Sequence, residues 1–525
     1  MKSEIILNGN DLTIADIDLF VDNRGISVQI ANSALVGIQK ARAFLEQELD
    51  KRIIYGVNTG FGPMASHIIS QEQGGALQEN LIRSHAVGIG SPINERYVLG
   101  AMLVRLNTLA KGYSGVSMEL IEYLQKFINH RIIPIVPEHG AVGASGDLVQ
   151  LAHIALALMG EGEVFYQGKR QPTAHVIQDL QIYPYKLKSK EGLSLINGTS
   201  MMTGIAAFLC LESHRLLSIA IRLGALSLEA VRGFDDSISE RLHRIRPHQG
   251  QVFVAQTLRD ILASSHMLRR RDEIKQASEI NGGVIEIPET VQEFYSLRCI
   301  PQILGPVFDT LMKTQTEVEI EMNSASDNPI VDWENQKFLH GGNFHGDYIA
   351  SAVDQLKMTL VKLSLLSERR INFFLNNHIN KFFPPFMNLE KPGLTLGLQG
   401  LQFVATSTAA QNQTLAVPHS VHSISTNGDN QDIVSMGTDA ALFAMKVIEN
   451  TYVVLAIELI TLAQAVDFLG KKEKFSDSSK HVYDGVRSVF PKITQDRVLV
   501  HELPQVVKFL ESDQSLGLHL DIDEQ

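Results

Sequence analysis

Cysteine is nearly absent from this sequence, and its scarcity excludes several kinds of protein. Only Cys210 and Cys299 occur among the 525 residues. Two cysteines cannot form a disulfide framework or a cysteine-based zinc site, and such sparse use suits a reducing compartment. The first residues are acidic where a signal peptide would have an apolar core. We therefore expect a cytoplasmic protein.

An excess of positive charge is also missing. The chain has 46 Lys and Arg against 58 Asp and Glu, a formal net charge of −12. The densest basic run, residues 269–271, is followed at once by Asp272 and Glu273. Because phosphate groups are bound by clustered Lys and Arg, we expect neither a nucleic-acid partner nor an anionic membrane surface.

Long uninterrupted hydrophobic runs and nucleotide or metal motifs are absent as well. One of the longest apolar stretches, residues 453–468, contains Glu458 and Asp467, whereas a bilayer span needs about 20 apolar residues. No phosphate-binding G-x-x-x-x-G-K-[ST] or zinc-binding H-E-x-x-H motif occurs. We therefore expect no membrane anchor and no metal, and the missing nucleotide motif is consistent with no diffusible cofactor.

Helical periodicity is abundant. Apolar residues recur at spacings of four and three from Ile349 through Val353, Leu356, Leu360 and Leu363, which predicts one buried face of a long helix. Similar patterns run over residues 201–231 and 440–468, far beyond the mean helix of about 11–12 residues.

These patterns predict a mainly α protein with two regions. The expected domains are a smaller mixed amino-terminal region at 1–198 and a bundle of long helices at 199–525. Turn clusters rich in glycine interrupt the first region. A polar, glycine-bearing loop is predicted over residues 264–290.

The run Ala144-Ser145-Gly146 joins three small residues directly before an apolar helical pattern. A plain explanation is a turn in which Ser145 or Asp147 caps the helix. A chemical explanation is that the backbone bends until the Gly146 nitrogen attacks the Ala144 carbonyl. Loss of water would then close a five-membered ring, and dehydration of Ser145 would leave an electrophilic methylidene.

Several motifs favour the chemical explanation because the chain resembles the aromatic amino acid ammonia-lyases and aminomutases. They occur in family order and are "YGVNTGFGP", "GASGDL", "LINGTS", "YSLRCIPQ", "SASDNP", "NFHG" and "STNGDNQDIVSMG". The resemblance implies a 4-methylidene-imidazol-5-one (MIO) group formed autocatalytically from Ala144-Ser145-Gly146. It also implies a mostly helical homotetramer with shared active sites, a small aromatic amino acid as substrate, and no diffusible cofactor.

The resemblance assigns catalytic roles to three more residues. Tyr55 would remove the β-proton of the substrate, and Asn197 would hold the imidazolone oxygen. Tyr295 would help the amine to leave. Taken singly, Tyr55 could equally be a packed aromatic residue, and Asn197 an ordinary turn residue.

Substrate-binding roles follow from the same resemblance. Arg298 would grip the carboxylate, because its guanidinium is planar and stays charged. A surface ion pair is the alternative for Arg298. The other expected pocket residues are Asn328, Phe344, Asn427, Gln431 and His85.

Two pocket residues led us to expect L-tyrosine as the substrate and trans-p-coumarate, a phenylpropanoid, as the product. Gln431 stands where histidine-specific relatives have glutamate, and His85 could bond a phenol hydroxyl that would otherwise be buried without a partner. A tyrosine 2,3-aminomutase is the first alternative, followed by a phenylalanine or histidine ammonia-lyase. A helical oligomer without chemistry at Ser145 is the non-enzymatic alternative.

Overall fold

A computed structural model describes residues 2–271 and 291–518, so most of the loop predicted over 264–290 lies outside the described residues. The chain divides into two compact units. The first unit comprises Met1–Leu211, Lys313–Gln355 and Pro418–Ala444, and the second comprises Glu212–Met312, Leu356–Val417 and Met445–Gln525. The boundary expected after residue 198 differs from this division, because two later segments of the chain return to the first unit.

The first unit combines helices with short β-strands. Its α-helices are Ile14–Asp22, Asn32–Glu48, Gly74–His85, Glu95–Ala110, Met118–Asn129, Leu148–Leu158, Thr173–Asp179 and Glu191–Ile196. The strands are Glu4–Leu7, Ser27–Ile30, Ile89–Pro92, Ile133–Pro134, Pro137–His139, Glu163–Tyr166, Lys169–Pro172, Ile330–Asp332 and Lys337–Leu339. Small polar residues begin several of these helices. Thr13 accepts a hydrogen bond from Asp16 N, and Ser117 accepts one from Leu120 N.

The strands form small separate sheets. Strand Glu4–Leu7 pairs in parallel with Ser27–Ile30, so that Ile5 lies opposite Val28. Strand Glu163–Tyr166 pairs antiparallel with Lys169–Pro172 and with Ile133–Pro134. The remaining two pairs are also antiparallel. Helices Gly74–His85, Leu148–Leu158 and Glu191–Ile196 pack against one another in this unit.

In the described part of the second unit, the regular secondary structure is helical. Its own α-helices are Glu240–Arg244, Gln249–Leu262, Tyr295–Arg298, Asn377–Asn380, Gln399–Leu415, Asp477–Val489 and Leu503–Ser512. Four long helices contribute residues to both units, namely Ser200–Ala230, Ile300–Met322, Asp347–Leu375 and Gly437–Leu469. Every member of the predicted stripe from Ile349 to Leu363 is buried. The prediction of a mainly α protein with long helices is confirmed.

Two of the long helices are apolar enough to cross a membrane by length and composition alone. They are Ser200–Ala230 and Gly437–Leu469. In each, 78% of the most apolar window is buried within the protein, which is the pattern of core helices rather than of helices facing lipid.

Candidate active site

The Ala144-Ser145-Gly146 segment lies just before helix Leu148–Leu158, against the backbone of Gly198. Gly146 has a φ of +75°, and a Cβ added there would lie 2.1 Å from the Gly198 carbonyl oxygen. The two glycines form a parallel bridge, and Asp147 N donates to Gly198 O at 2.8 Å. Only glycine permits so close an approach at residue 146.

Asp147 occupies the N-cap position of helix Leu148–Leu158, but its side chain does not cap that helix as the plain explanation proposed. Instead, one carboxylate oxygen accepts hydrogen bonds from Met201 N and Met202 N, both at 2.9 Å, and the other accepts one from Thr438. Complete burial raises the pKa of Asp147 to about 6. The carboxylate thus joins the start of Ser200–Ala230 to the tripeptide segment.

Asn197 contacts the tripeptide directly. Its side-chain Nδ2 donates to the Ser145 carbonyl oxygen at 2.9 Å, and the residue is only 4% exposed. Ring closure between residues 144 and 146 would make this oxygen the carbonyl of the imidazolone. The amide is therefore placed where it would withdraw electrons from the ring.

Gln431 contacts the same serine through its side chain. Its Nε2 donates to Ser145 Oγ at 2.8 Å. Thr426 and Gln431 form an antiparallel bridge that closes a turn. Asn427 within this turn has a φ of +55°. Tertiary structure thus brings two amide side chains, Asn197 and Gln431, onto one residue.

Tyr55 lies in a turn of the segment that follows helix Asn32–Glu48. Its phenol oxygen accepts a hydrogen bond from Gly62 N at 2.9 Å, and its ring meets Phe61 edge to face with centroids 6.4 Å apart. The backbone N–H stabilises negative charge on the phenol oxygen. This arrangement suits a tyrosine that takes up a proton.

A cavity of about 460 Å³ in the first unit brings most of the expected residues together. Its lining comprises Tyr55, Phe61, Gly62, Met64, Leu77, Asn80, Leu81, Ser84, His85, Ser145, Leu148, Leu193, Asn197, Asn328, Phe344, Asn427, Asn430 and Gln431. None of the described residues in this lining is a Lys, Arg, Asp or Glu. The volume and the mixture of apolar and amide groups suit a small aromatic ligand.

His85 lies at the end of helix Gly74–His85. Its Nδ1 is 2.9 Å from Leu81 O and 3.0 Å from Ser84 Oγ. When Nδ1 carries the proton that bonds Leu81 O, a neutral imidazole presents Nε2 as an acceptor. His85 can therefore accept a hydrogen bond from an O–H or an N–H group of a ligand.

Tyr295 and Arg298 belong to the second unit, and neither lines the cavity. They form the short helix Tyr295–Arg298, in which the guanidinium lies 4.6 Å from the tyrosine ring centroid. Arg298 Nε donates to Glu293 O at 3.0 Å, and the side chain lines a separate cavity of about 240 Å³. Among the described residues of one chain, none that lines the first cavity is a cation that could bind a carboxylate.

Reasoning from the sequence missed several residues of the site. The apolar part of the cavity lining includes Leu77, Leu148 and Leu193. A single leucine in a helix does not by itself indicate such a role. Arg105 donates to the Asn197 carbonyl at 3.0 Å and is buried. Its position in the middle of a helix, 92 residues before Asn197, offers no local clue.

The residues present fit an MIO group. Gly146 is confined to a position without a side chain, and Ala144 is buried. Asn197 already donates to the oxygen that the imidazolone would keep. Among residues 2–271 and 291–518, no group of three or more His, Cys, Asp or Glu side chains is arranged to hold a metal ion.

Known proteins resemble the chain along nearly its whole length. The histidine ammonia-lyase of Bacillus velezensis is 39% identical over 513 residues, which cover 98% of this chain and 96% of that protein. The structure of tyrosine aminomutase from Streptomyces globisporus matches with a TM-score of 0.93 at 36% identity, covering 98% of this chain and 97% of that one. Histidine ammonia-lyase from Trypanosoma cruzi matches with a TM-score of 0.87 at 32% identity, covering 98% and 97%.

The prediction of a tyrosine ammonia-lyase that makes p-coumarate is wrong, because the curated relatives matched along the chain are histidine ammonia-lyases. Gln431 is compatible with histidine as the substrate. A neutral amide can serve an imidazole as well as a phenol, because it both donates and accepts hydrogen bonds. His85 has the same versatility, so neither residue excludes histidine.

The aromatic amino acid lyase model matches residues 12–488. This range contains every motif on which the resemblance was based, from Tyr55 to Gln431. Enzymes of this family use an MIO group and act on amino acids. The chain belongs to the aromatic amino acid lyase family.

Proposed function

We propose that the protein eliminates ammonia from L-histidine without oxidation and releases trans-urocanate. The observation that carries the proposal is the cavity in which Asn197 and Gln431 both contact Ser145, with Tyr55 and His85 in the same wall. Likeness to histidine ammonia-lyases over 98% of the chain supports the choice of substrate.

The prosthetic group would be made by the chain itself from Ala144-Ser145-Gly146. When formed, it supplies an electrophile for the substrate amine. Asn197 would hold its oxygen through the hydrogen bond now made to Ser145 O. Donors fixed in advance at a site of developing negative charge stabilise that charge without reorganisation.

Tyr55 would remove the β-proton. The Gly62 N–H donates to the phenol oxygen and so fixes the position of the atom that would take up the proton. The lining around it is rich in apolar side chains, which strengthens such electrostatic contacts.

The imidazole of the substrate would be recognised by His85 and Gln431. Dehydration of Ser145 removes the Oγ to which Gln431 donates. The amide is then available to a ring nitrogen, while His85 Nε2 can accept the ring N–H. Asn328, Phe344 and Asn427 would complete this pocket.

The substrate carboxylate would be bound by residues of a neighbouring subunit. Within residues 2–271 and 291–518 of one chain, no cation lines the cavity, yet an amino acid carboxylate calls for one. Arg298, with Tyr295 beside it, supplies a guanidinium and a phenol that do not line that cavity. We therefore propose a homotetramer whose active sites combine residues of different subunits.

A panel of L-histidine, L-tyrosine and L-phenylalanine tests the substrate. We expect the highest kcat/KM for L-histidine. The rate is measured from the ultraviolet absorbance of the urocanate formed. Ser145→Ala is the control for chemistry without the prosthetic group. A preference for another amino acid, with no urocanate from L-histidine, would refute the proposed substrate.

A second candidate is 2,3-aminomutase activity, which the match to tyrosine aminomutase from Streptomyces globisporus favours. An aminomutase would return the amine to the β-carbon instead of releasing it. Chromatography of the same reaction mixtures separates an α,β-unsaturated acid from a β-amino acid. A β-amino acid as the main product would select this candidate.

A further inference from the structure

A buried guanidinium lies directly behind the candidate site. Arg105, on helix Glu95–Ala110, is 1% exposed and donates from Nη2 to the Asn197 carbonyl oxygen at 3.0 Å. Asn197 is the residue whose side chain donates to Ser145 O. Arg105 thus contacts the backbone of a residue that contacts the tripeptide, although it does not line the cavity itself.

Gly198 is closely packed between this guanidinium and the tripeptide. Its φ is +150°, and a Cβ added there would lie 2.2 Å from Arg105 Nη2. Its carbonyl oxygen accepts from Asp147 N and would lie 2.1 Å from a Cβ on Gly146. The position of Arg105 therefore limits how the 197–198 backbone can lie against residues 145–147.

The guanidinium is only partly paired. Within the described parts of the chain, Arg105 Nε and Nη1 have no hydrogen-bond partner, and neither has Oδ1 of the buried Asp327. Unpaired donors on a buried charged group are costly. An apolar side chain would fill the same space without that cost, so packing alone does not account for an arginine here.

The guanidinium also stays charged. Burial lowers the pKa of Arg105 to about 10, while Asp327 and Asp147 favour its charged form. At neutral pH the group therefore keeps its proton. Asp327 is itself paired with the buried Lys190, whose Nζ lies 2.9 Å from the carboxylate.

We propose that Arg105 is a positioning residue for closure of the Ala144-Ser145-Gly146 ring. It holds Asn197 and Gly198 against the tripeptide and keeps the Gly146 nitrogen close to the Ala144 carbonyl carbon. This inference rests on the proposed function in one respect, which is that Ala144-Ser145-Gly146 forms the MIO group. It does not depend on which amino acid is the substrate.

Closure forms one bond between Gly146 N and the Ala144 carbonyl carbon. The carbonyl oxygen leaves as water with the amide hydrogens of Ser145 and Gly146, and a C=N bond forms to Ser145 N. A second water takes the Ser145 hydroxyl and its Cα hydrogen, leaving a C=C bond. The sequence of steps needs no oxidant, reductant or further reactant.

Intact mass during cell-free synthesis of the full-length chain tests the inference without any substrate. We expect wild type to lose two waters. Arg105→Met should slow that loss about 100-fold, because a displacement near 1 Å can cost that much in a positioned reaction. Arg105→Lys keeps a cation but not the planar fork, so an intermediate rate is expected.

Arg131→Met is the matched control. Arg131 also holds backbone, donating to Asn23 O at 3.0 Å and Val21 O at 3.3 Å, but these carbonyls are remote in sequence from the tripeptide. We expect this variant to lower the thermal midpoint while losing two waters at the wild-type rate. A purely structural role for Arg105 would make its variants behave like this control.

The outcomes separate the inference from the proposed function. Folded Arg105→Met that matures at the wild-type rate overturns the inference. If Arg105→Met does not fold, Arg105→Lys decides, because slowed maturation at an unchanged thermal midpoint supports the role and a wild-type rate overturns it. Wild type that keeps both waters overturns both proposals. Wild type that loses them without converting L-histidine overturns only the substrate.

Discussion

The two units of the protein use buried charge in different ways. In the second unit, the buried Arg370 donates to Glu458, Nη2 to Oε2 at 3.1 Å, and Ser367 donates to the same carboxylate at 2.6 Å. These three side chains link one long helix to another. In the first unit, the side chains of Arg105 and Asp147 bond backbone atoms instead. Arg105 donates to the carbonyl of residue 197, and Asp147 accepts from the N–H groups of residues 201 and 202.

The difference shows which contacts serve stability and which serve the site. An ion pair between helices can be replaced by apolar packing without changing any reacting group. A charged group that holds a loop backbone in place cannot be replaced by apolar packing, because the loop has no hydrophobic face to position it. Five substitutions test this distinction, beginning with the largest expected effect.

Ser145→Ala should abolish the proposed chemistry while leaving the fold of the first unit intact. Without the hydroxyl, no methylidene can form, and we expect kcat/KM to fall by about 10⁴-fold or more, as when a covalent catalytic group is removed. Intact mass and steady-state kinetics check this. Ser367→Ala in the second unit is the control, and its mass should still show the loss of two waters. Undiminished turnover by Ser145→Ala would contradict the role of the tripeptide.

Glu458→Ala should reduce stability rather than chemistry. It leaves Arg370 buried without its carboxylate, which costs about 3–5 kcal/mol in free energy of unfolding. Urea denaturation measures the loss. The folded fraction should still show loss of two waters by intact mass. A stability equal to wild type would show that the buried pair contributes nothing to the second unit.

Asn197→Ala should have the opposite profile. It removes the donor to Ser145 O, and loss of one such donor costs about 10²–10³ in kcat. The free energy of unfolding should change by only about 1 kcal/mol, the value of a typical hydrogen bond. Asn412→Ala, at a buried amide of the second unit, is the control for loss of a buried amide. A normal kcat in Asn197→Ala would remove Asn197 from the mechanism.

Asp147 should make stability depend on pH. Its pKa of about 6 lies above its ordinary value, so the folded protein binds the proton more tightly than the unfolded chain. This contribution is complete below about pH 4 and is lost as pH rises through about 6, with a size of about 3 kcal/mol.

The control for this pH effect is Asp147→Asn, which cannot titrate. Burial also raises the pKa of Glu229 in the second unit, but that carboxylate is present in both proteins. The difference between the two stability curves therefore isolates Asp147. Parallel curves from pH 4 to pH 7 would contradict its raised pKa.

His85→Phe should have the smallest effect. Removing the acceptor leaves a ring N–H of L-histidine without a partner, which costs about 1–3 kcal/mol, or about 5- to 150-fold in kcat/KM. Preference should move toward L-phenylalanine. His175→Phe, at an exposed histidine outside the cavity, is the matched control. An unchanged ranking of substrates would remove His85 from ring recognition.

Local patterns predicted the fold far better than the substrate. The long helices follow from periodicity, since each turn adds an apolar residue to the same face, and Ile349 to Leu363 are buried as that rule requires. The substrate was predicted from Gln431 and His85. Gln431 contacts Ser145 Oγ, and its neutral amide is compatible with more than one aromatic ring.

The sequence by itself determined that the protein is mainly helical and that its small tripeptide stands among the motifs of one enzyme family. Only the tertiary structure decided that the Asp147 side chain bonds the start of another helix rather than its own, and that Arg105 lies behind Asn197. Gln431 contacts a serine 286 residues away in the chain. Helical periodicity depends on neighbours within a few turns, whereas such contacts depend on how distant segments pack, so no local pattern specifies them.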